Sequence, residues 1–380
     1  MTTAVLEFPE GRLTLSRPGG GDPSLRAWDA ADELLLQEVF GRVDADKAPK
    51  VLVIDDQFGA LALGLQRYQP DLVADSATLS DALAHNAGMN PGVITPDVVH
   101  SWLKPPVGAY DAVVLRIPRH ADYLAWLLRW VNGVLKDNGL LLAGGMIKHL
   151  PDRGVEVFAQ AVQTEMVCPA RKKARVVVCR RGQAELEEWS GTWKGYGPGE
   201  VRFRVDALPA VFAREKLDIG TRLLLPRVKA SVSGLASGAR VLDLACGNGV
   251  VGVSALAERP DLTLTFTDVS SQAVASARLN VSRAFPGTPV SFEHADGIPD
   301  SAGLFDLILL NPPFHEGGVV GDHVALRLFE QAAKHLSSGG RLLMVGNRHL
   351  GYHRSLRRFF PQVHQLDASP KFVVLEAGRR

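Results

Sequence analysis

The sequence predicts an α/β chain of two tandem Rossmann-like domains that arose by duplication, the N-terminal one degenerate. Three observations in its 380 residues lead there: a strand, glycine turn and helix at 241–252, a proline-rich loop closing an apolar strand at 311–314, and a fainter copy of both upstream. Strands alternating with helical stretches build a parallel sheet, and ligands bind such a sheet at the carboxyl ends of its strands.

Val241-Leu242-Asp243-Leu244-Ala245-Cys246-Gly247-Asn248-Gly249-Val250-Val251-Gly252 reads as a short buried strand, a tight turn and the start of an apolar helix. Its glycines spell the dinucleotide fingerprint, and Asp268 follows at the end of a second strand, 262–266, placed for ribose hydroxyls. Two features argue against a nicotinamide site. Asp243 precedes the first glycine by four residues, where a carboxylate can receive an ammonium group that NAD lacks, and no dyad for hydride transfer is evident. Asn311-Pro312-Pro313-Phe314 directly follows the apolar run 304–310. An asparagine amide oxygen and a proline carbonyl make two fixed acceptors, and the aromatic offers a stacking face. Together they form a clamp for a planar exocyclic amine.

The set Asp243-x-x-x-Gly247-x-Gly249, Asp268, Asp296 and Asn311-Pro312-Pro313-Phe314 resembles the class I S-adenosylmethionine-dependent methyltransferases that modify exocyclic or amide nitrogens. The stretches 211–223, 311–316, 345–350 and 371–375 are similar to the bacterial ribosomal RNA (guanine-N2-)-methyltransferases. Within that family, Arg26-Ala27-Trp28-Asp29-Ala30-Ala31-Asp32-Glu33 and Asn347-Arg348-His349-Leu350 look more like the large-subunit enzyme than its small-subunit relative. The resemblance covers nearly the whole chain. It implies methylation of the N2 amine of a specific guanine in 23S ribosomal RNA, with S-adenosyl-L-methionine as cofactor and ribosomal RNA, a ribosomal subunit or an assembly intermediate as partner.

The duplication rests on three matches in order: 51–59 under 241–249, 110–118 under 305–313, and 139–142 with 148–150 under material of 339–350, at offsets of 190, 195 and 200. In the first copy Asp56, Gln57 and Phe58 stand for Cys246, Gly247 and Asn248, so the tight turn is expected to be lost. Arg116 and Ile117 stand for Asn311 and Pro312, and Asp75 survives near the position of Asp268. This copy should neither bind cofactor nor methylate; positioning RNA is its expected use. The expected domains are 1–182, a glycine-rich linker at 183–200 and a catalytic domain at 201–380. Trp189, Trp193 and Tyr196 in the linker are expected to pin the domains together.

Composition supports two cores, with 46% hydrophobic and 22% charged residues. No charged-then-apolar leader and no membrane-length apolar run is read, so a soluble cytoplasmic protein is expected. Cys168, Cys179 and Cys246 are odd in number and lack ligand spacing, which predicts free thiols and no metal. Net charge is only +1, but Arg171, Lys172, Lys173 and Arg175 form a basic cluster expected to contact RNA phosphates. A second group, Arg354, Arg357 and Arg358, is left unassigned.

Mechanistically, Asn311 and Pro312 are expected to accept the two amine hydrogens, with Phe314 stacking on the base. Asp243 should orient the methionine part of the cofactor, with Gly247, Asn248 and Gly249 at the turn, Asp268 on the ribose and Asp296 on the adenine amine. Phe212, Lys216 and Asp218 should line the cofactor's far side. The same clamp suits 16S ribosomal RNA, a protein glutamine or a DNA adenine. A binding protein without turnover is the reading outside enzymology.

Overall fold

Uninterrupted apolar runs become strands buried on both faces, as parallel strands under helices must be. Val51–Ile54 is buried at every position and Phe305–Leu310 at all but one. The structure, a computed structural model, describes residues 3–19, 24–150, 152–197, 201–313 and 323–378. The chain divides into two units, Met1–Thr192 and Trp193–Arg380, each holding a seven-stranded sheet.

In the first unit the sheet runs Val99–His100, Asp71–Val73, Val51–Ile54, Tyr110–Arg116, Leu135–Met146, Ala174–Arg180, Gln163–Val167. In the second it runs Val290–His294, Thr263–Asp268, Arg240–Leu244, Phe305–Leu310, Leu336–Asn347, Phe372–Gly378, Gln362–Ala368. In both, neighbours among the first five strands are parallel and the last two strands pair antiparallel. Chain order reverses between Arg240–Leu244 and Phe305–Leu310, the switch point where such sheets open a crevice. Alternation along these strands sends Val241, Leu307 and Leu309 to one core, with Val228 and Leu224 of the Ile219–Ser233 helix, and Leu242, Ile308 and Leu310 to the other.

The two units share details that no general α/β rhythm requires. Strand register puts Val51 against Ala112 and Val241 against Leu307, which reproduces the offsets of 190 and 195. Leu115 faces Ala143 and Leu310 faces Met344, so the fifth-strand offset is 201, one more than the sequence match. The register slips at the same place in both copies, between Tyr110 and Ala112 and between Phe305 and Leu307. Each sheet is also preceded by an antiparallel hairpin and a helix. These are Ala4–Phe8 with Gly11–Leu15 before Ala30–Arg42, and Lys194–Tyr196 with Val205–Ala207 before Ile219–Ser233. Part of the stretch expected as linker is therefore a strand of the second unit. Trp189 lies under the Arg129 guanidinium of the first unit, 5.0 Å from its ring centroid, while the Tyr196 hydroxyl meets the Asn248 amide of the second.

One buried asparagine in each unit ties hairpin, helix and glycine turn together. Asn280 accepts from the Asp206 N–H at 2.9 Å and donates to the Asp206 carbonyl at 2.7 Å and the Asn248 carbonyl at 2.9 Å. Asn86 does the same with the Ser16 N–H, the Ser16 carbonyl and the Phe58 carbonyl. Both are wholly buried. Asn280→Ala leaves three backbone groups without partners, each costing about 1–3 kcal/mol if water cannot reach it. The expected loss is about 3 kcal/mol or more in urea unfolding of the second unit, with a like loss in the first for Asn86→Ala; a loss below about 1 kcal/mol would mean that the bonds are replaced.

Candidate active site

The turn after the Arg240–Leu244 strand bends through left-handed backbone at Ala245, Gly247 and Gly249, with φ of 56, 54 and 78°. A Cβ at Gly249 would lie 2.9 Å from that of Ala277, and one at Gly252 would lie 2.4 Å from the Phe266 ring. At Gly247 nothing lies within 4 Å of a built Cβ, so this glycine faces open space. The turn is packed hard against the protein on one side and bare on the other, which is a cradle for a close-approaching ligand. Gly249 also caps the Val250–Glu258 helix, whose Val250 and Gly252 amides are taken by the side chains of Asn248 and Asp243.

Two carboxylates hold this turn. Asp243, 2% exposed, accepts from the Gly252 N–H at 2.8 Å. Burial, reinforced by the nearby Asp268 charge and opposed by that hydrogen bond, pushes its pKa up to about 8. Asp268 accepts from the Gly247 N–H at 2.9 Å through one oxygen and from the Ser270 N–H at 2.9 Å through the other. Asn248, expected among the cofactor contacts, turns its side chain inward instead. Its amide donates to the Tyr196 hydroxyl at 3.2 Å and accepts from the Val250 N–H at 3.2 Å. At 4% exposure its side chain braces the loop.

At the end of the Phe305–Leu310 strand, Asn311 donates from Nδ2 to Thr221 Oγ1 at 2.9 Å and to Asp218 Oδ2 at 3.4 Å. Asp218 also caps the Ile219–Ser233 helix, accepting from the Thr221 N–H at 2.8 Å. Asn311 Oδ1 is buried and has no donor among the described residues. Asp218, expected at the cofactor's far side, thus sits on the amide of the proposed clamp. Thr221 went unnoticed in the sequence; Asp218-x-x-Thr221 before an apolar run is a helix-start pattern that would have marked the place.

The first unit has the same corner with other contents. Asp29 caps the Ala30–Arg42 helix, Asp32 lies one turn in, and both grip Arg116, which is 7% exposed. Arg116 bonds both Asp29 oxygens at 3.1 and 2.9 Å, and its Nε lies 3.2 Å from Asp32. Burial raises the Asp32 pKa to about 7, Arg116 opposing. The turn above it corrects the expectation that it would be gone. Asp55 and Gly59 keep the left-handed backbone of Ala245 and Gly249, at φ of 56 and 90°. Only the bend of Gly247 is missing, because Gln57 stands there, and the buried Asp56 carboxylate takes up the Gly59, Leu61 and Ala62 amides at 3.1, 3.0 and 2.8 Å. Strand register makes Ala74 the counterpart of Asp268, with Asp75 one residue further on.

Other expected residues are placed less simply. Asp296 is held by both terminal nitrogens of Arg327, one at 2.7 Å, so its carboxylate is already engaged. Phe212, 61% exposed, and the exposed Lys216 lie on the segment before Asp218, and Pro312 is buried beside Asn311. Phe314 lies outside the described residues. Arg171, Lys172 and Lys173 occupy the exposed turn between the Gln163–Val167 and Ala174–Arg180 strands. Lys172 pairs with Glu33 at 2.7 Å and Arg171 donates to Gln37 at 3.0 Å. Arg175 departs from the cluster: it is half-buried in the strand, and its Nε is buried without a partner among the described residues. The three cysteines are buried free thiols.

Comparison with known proteins bears on both units. The RLMG N-terminal domain family matches residues 3–183 and the methyltransferase small domain family matches 202–376. "Ribosomal RNA large subunit methyltransferase G" of Alcanivorax borkumensis is 39% identical over 375 residues, covering 96% of this chain and 95% of that protein. The chain belongs to this methyltransferase G family. Its relative of the same description in Pseudomonas paraeruginosa is 38% identical over 368 residues, 94% of this chain and 95% of that one. A solved T. thermophilus 16S rRNA N2 G1207 methyltransferase, in complex with AdoMet and guanosine, superposes with a TM-score of 0.75 over 100% of this chain and 98% of its own, at 22% identity. At that identity the likeness is one of fold.

The raised Asp243 pKa has a consequence for stability. An unfolded aspartate ionises near 3.8, so between about pH 4 and pH 8 folding must either protonate Asp243 or bury its charge, and the cost grows with pH across that window. Asp243→Asn keeps an acceptor for Gly252 and removes the cost. It should raise the melting temperature of the second unit at pH 8, by about 2–4 °C for each kcal/mol released. The gain should shrink toward pH 4; thermal melts over that range check it, and a pH-independent difference would contradict the assignment.

Proposed function

We propose that this protein transfers a methyl group from S-adenosyl-L-methionine to the exocyclic N2 amine of a guanine in 23S ribosomal RNA. The observation that carries the reading is Asn311 Oδ1, an acceptor buried at the switch point with no donor among the described residues. A buried amide oxygen left unpaired is costly unless a ligand completes it. An exocyclic amine brings the missing hydrogen. The names of the relatives above, with the guanosine in the similar fold, direct the choice of amine to ribosomal RNA guanine.

The turn fits the cofactor, because no atom lies within 4 Å of where a Cβ of Gly247 would stand and Asp268, which holds the Gly247 N–H, stands at the neighbouring strand end. Asp243, Gly247, Gly249 and Asp268 would hold it, with Asn248 acting by bracing the loop and Asp296, paired with Arg327, on the adenine side. S-adenosylmethionine, when bound, supplies an electrophilic methyl group. The chain's part is positioning and charge stabilisation. Asn311 Oδ1 and the Pro312 carbonyl accept the amine hydrogens, which turns the nitrogen lone pair out of conjugation and stabilises positive charge as the nitrogen gains its new bond. No strong base is needed, since the proton leaves readily once the nitrogen is cationic. Phe314 would stack on the base, drawn from its helix or displayed in a single strand.

Asn311→Ala should slow methyl transfer by tenfold or more, about 2–4 kcal/mol for a charge-stabilising contact made in the transition state. Cofactor affinity by calorimetry should change little. The assay uses 23S ribosomal RNA lacking the modification, with 16S ribosomal RNA, DNA and a glutamine-bearing protein in parallel. Labelling of any of these in preference to 23S would move the substrate, and an unaffected rate would remove Asn311 from the chemistry.

The first unit's basic turn would hold RNA backbone. Neutralising Arg171, Lys172 and Lys173 should weaken RNA binding and flatten its salt dependence by roughly one unit of slope for each phosphate contact removed. Arg175 is spared in that variant because of its burial. An unchanged affinity and slope would leave the first unit as scaffold.

A further inference from the structure

We propose that Thr221, backed by Asp218, is a positioning residue that sets which end of the Asn311 amide faces the substrate. The inference rests on the function proposed above. An asparagine side chain is nearly symmetric in shape, and rotation by half a turn about its last bond exchanges acceptor for donor. With the oxygen outward the site receives an amine; with the nitrogen outward it repels one. Something must choose.

The hydrogen-bond chain makes the choice by elimination. Asp218 Oδ2 can only accept. Thr221 donates its single hydroxyl hydrogen to that oxygen, at 3.3 Å. The hydroxyl therefore has only lone pairs left for Asn311, 2.9 Å away, and Asp218 Oδ2, 3.4 Å from the same Asn311 nitrogen, again offers only acceptance. Two acceptors on one side of the amide demand its NH2 group there. Oδ1 is forced to the other side, where it is buried and without a partner among the described residues. Thr221 is itself 4% exposed, so water does not compete for the hydroxyl.

The first unit supplies an independent argument that this corner is a grip. Its helix-cap aspartate Asp29 and the residue one turn in, Asp32, hold the side chain that ends the fourth strand, Arg116. The second unit uses Asp218, Thr221 and Asn311 at the same three places. The grip is retained while its cargo changes from a cation that fills the corner to an amide that leaves an acceptor over.

The experiment measures single-turnover methyl transfer to unmodified 23S ribosomal RNA at saturating S-adenosylmethionine, for the wild type, Thr221→Val, Thr221→Ser, Asn311→Ala and the double variant Thr221→Val/Asn311→Ala. Thr221→Val keeps the shape and removes the hydroxyl. Its rate should fall about tenfold, while cofactor and RNA dissociation constants stay within about twofold, and Thr221→Ser should return to within about twofold of wild type. In the Asn311→Ala background, Thr221→Val should cost nothing further, because a residue acting through Asn311 has nothing left to orient. An unchanged rate in Thr221→Val overturns the proposal, as does a full additional loss in the double variant. A parallel fall in rate, cofactor affinity and melting temperature that Thr221→Ser does not repair assigns Thr221 to the fold and also overturns it. Should Thr221→Val not fold, Thr221→Ala, with the same expectation, replaces it. A wild type that labels no guanine N2 refutes the proposed function itself, a result distinct from an active wild type with an indifferent Thr221→Val.

Discussion

The glycine turn is the constraint on which the rest depends, and the amide of Asn280 is what lets it exist. A loop with three left-handed residues in a row of five has few internal hydrogen bonds, so its carbonyls must find partners elsewhere. Asn280 donates to the carbonyl of Asn248 inside the turn and closes two bonds with Asp206 in the hairpin before it. One side chain thereby fixes the helix, the loop and the hairpin in mutual register. The Asn248 side chain continues the brace to Tyr196, on the other strand of that hairpin. With the inner side so fastened, the outer side keeps open space where a Cβ of Gly247 would stand.

That fastening explains what could be read from the sequence and what could not. The glycine turn, the strand before it and the loop at Asn311 were legible because each is a local pattern whose residue types have few other uses. Asn280 lies on a helix where one more polar residue means nothing by itself; its meaning comes from residues 74 and 32 positions away. Thr221 was hidden for the same reason, 90 residues from Asn311. Asn248 misled in the opposite direction. It stands in the midst of the cofactor fingerprint, yet the left-handed glycines on either side of it turn its side chain inward. Asp296 stands beside Gly297 as expected, but the Arg327 that engages it comes from a helix that spacing could not place.

The two corners show how a duplicated scaffold can lose a site without losing its fold. The first unit keeps the asparagine tie, the two left-handed positions flanking the turn and the shared slip in register. What differs is polar and buried. Arg116 with Asp29 and Asp32 fills the place where the second unit has a neutral amide and a hydroxyl. A buried ion pair is worth little net stability, because desolvation consumes most of the attraction, but removing either partner is severe. Within this cluster Asp32 is the buried partner, so its loss would leave the buried Arg116 with only the partly exposed Asp29 to pair with.

The second unit bears two local costs that the first handles differently, one on each of the two strands at the switch point. Asn311 Oδ1 is buried without a donor among the described residues. Asp243 is a carboxyl under one N–H bond with a second carboxylate near enough to raise its pKa further. At the position of Asp243 the first unit has Val53, fully in its core, and at that of Asn311 it has the ion-paired Arg116. Packing would favour the valine. At these two positions the second unit keeps a buried acid and the Asn311 oxygen at a cost in stability, while the first unit carries its own buried carboxylate in its turn, at Asp56. The charge and the hydrogen-bond donor that would relieve them are those of an ammonium group and an exocyclic amine.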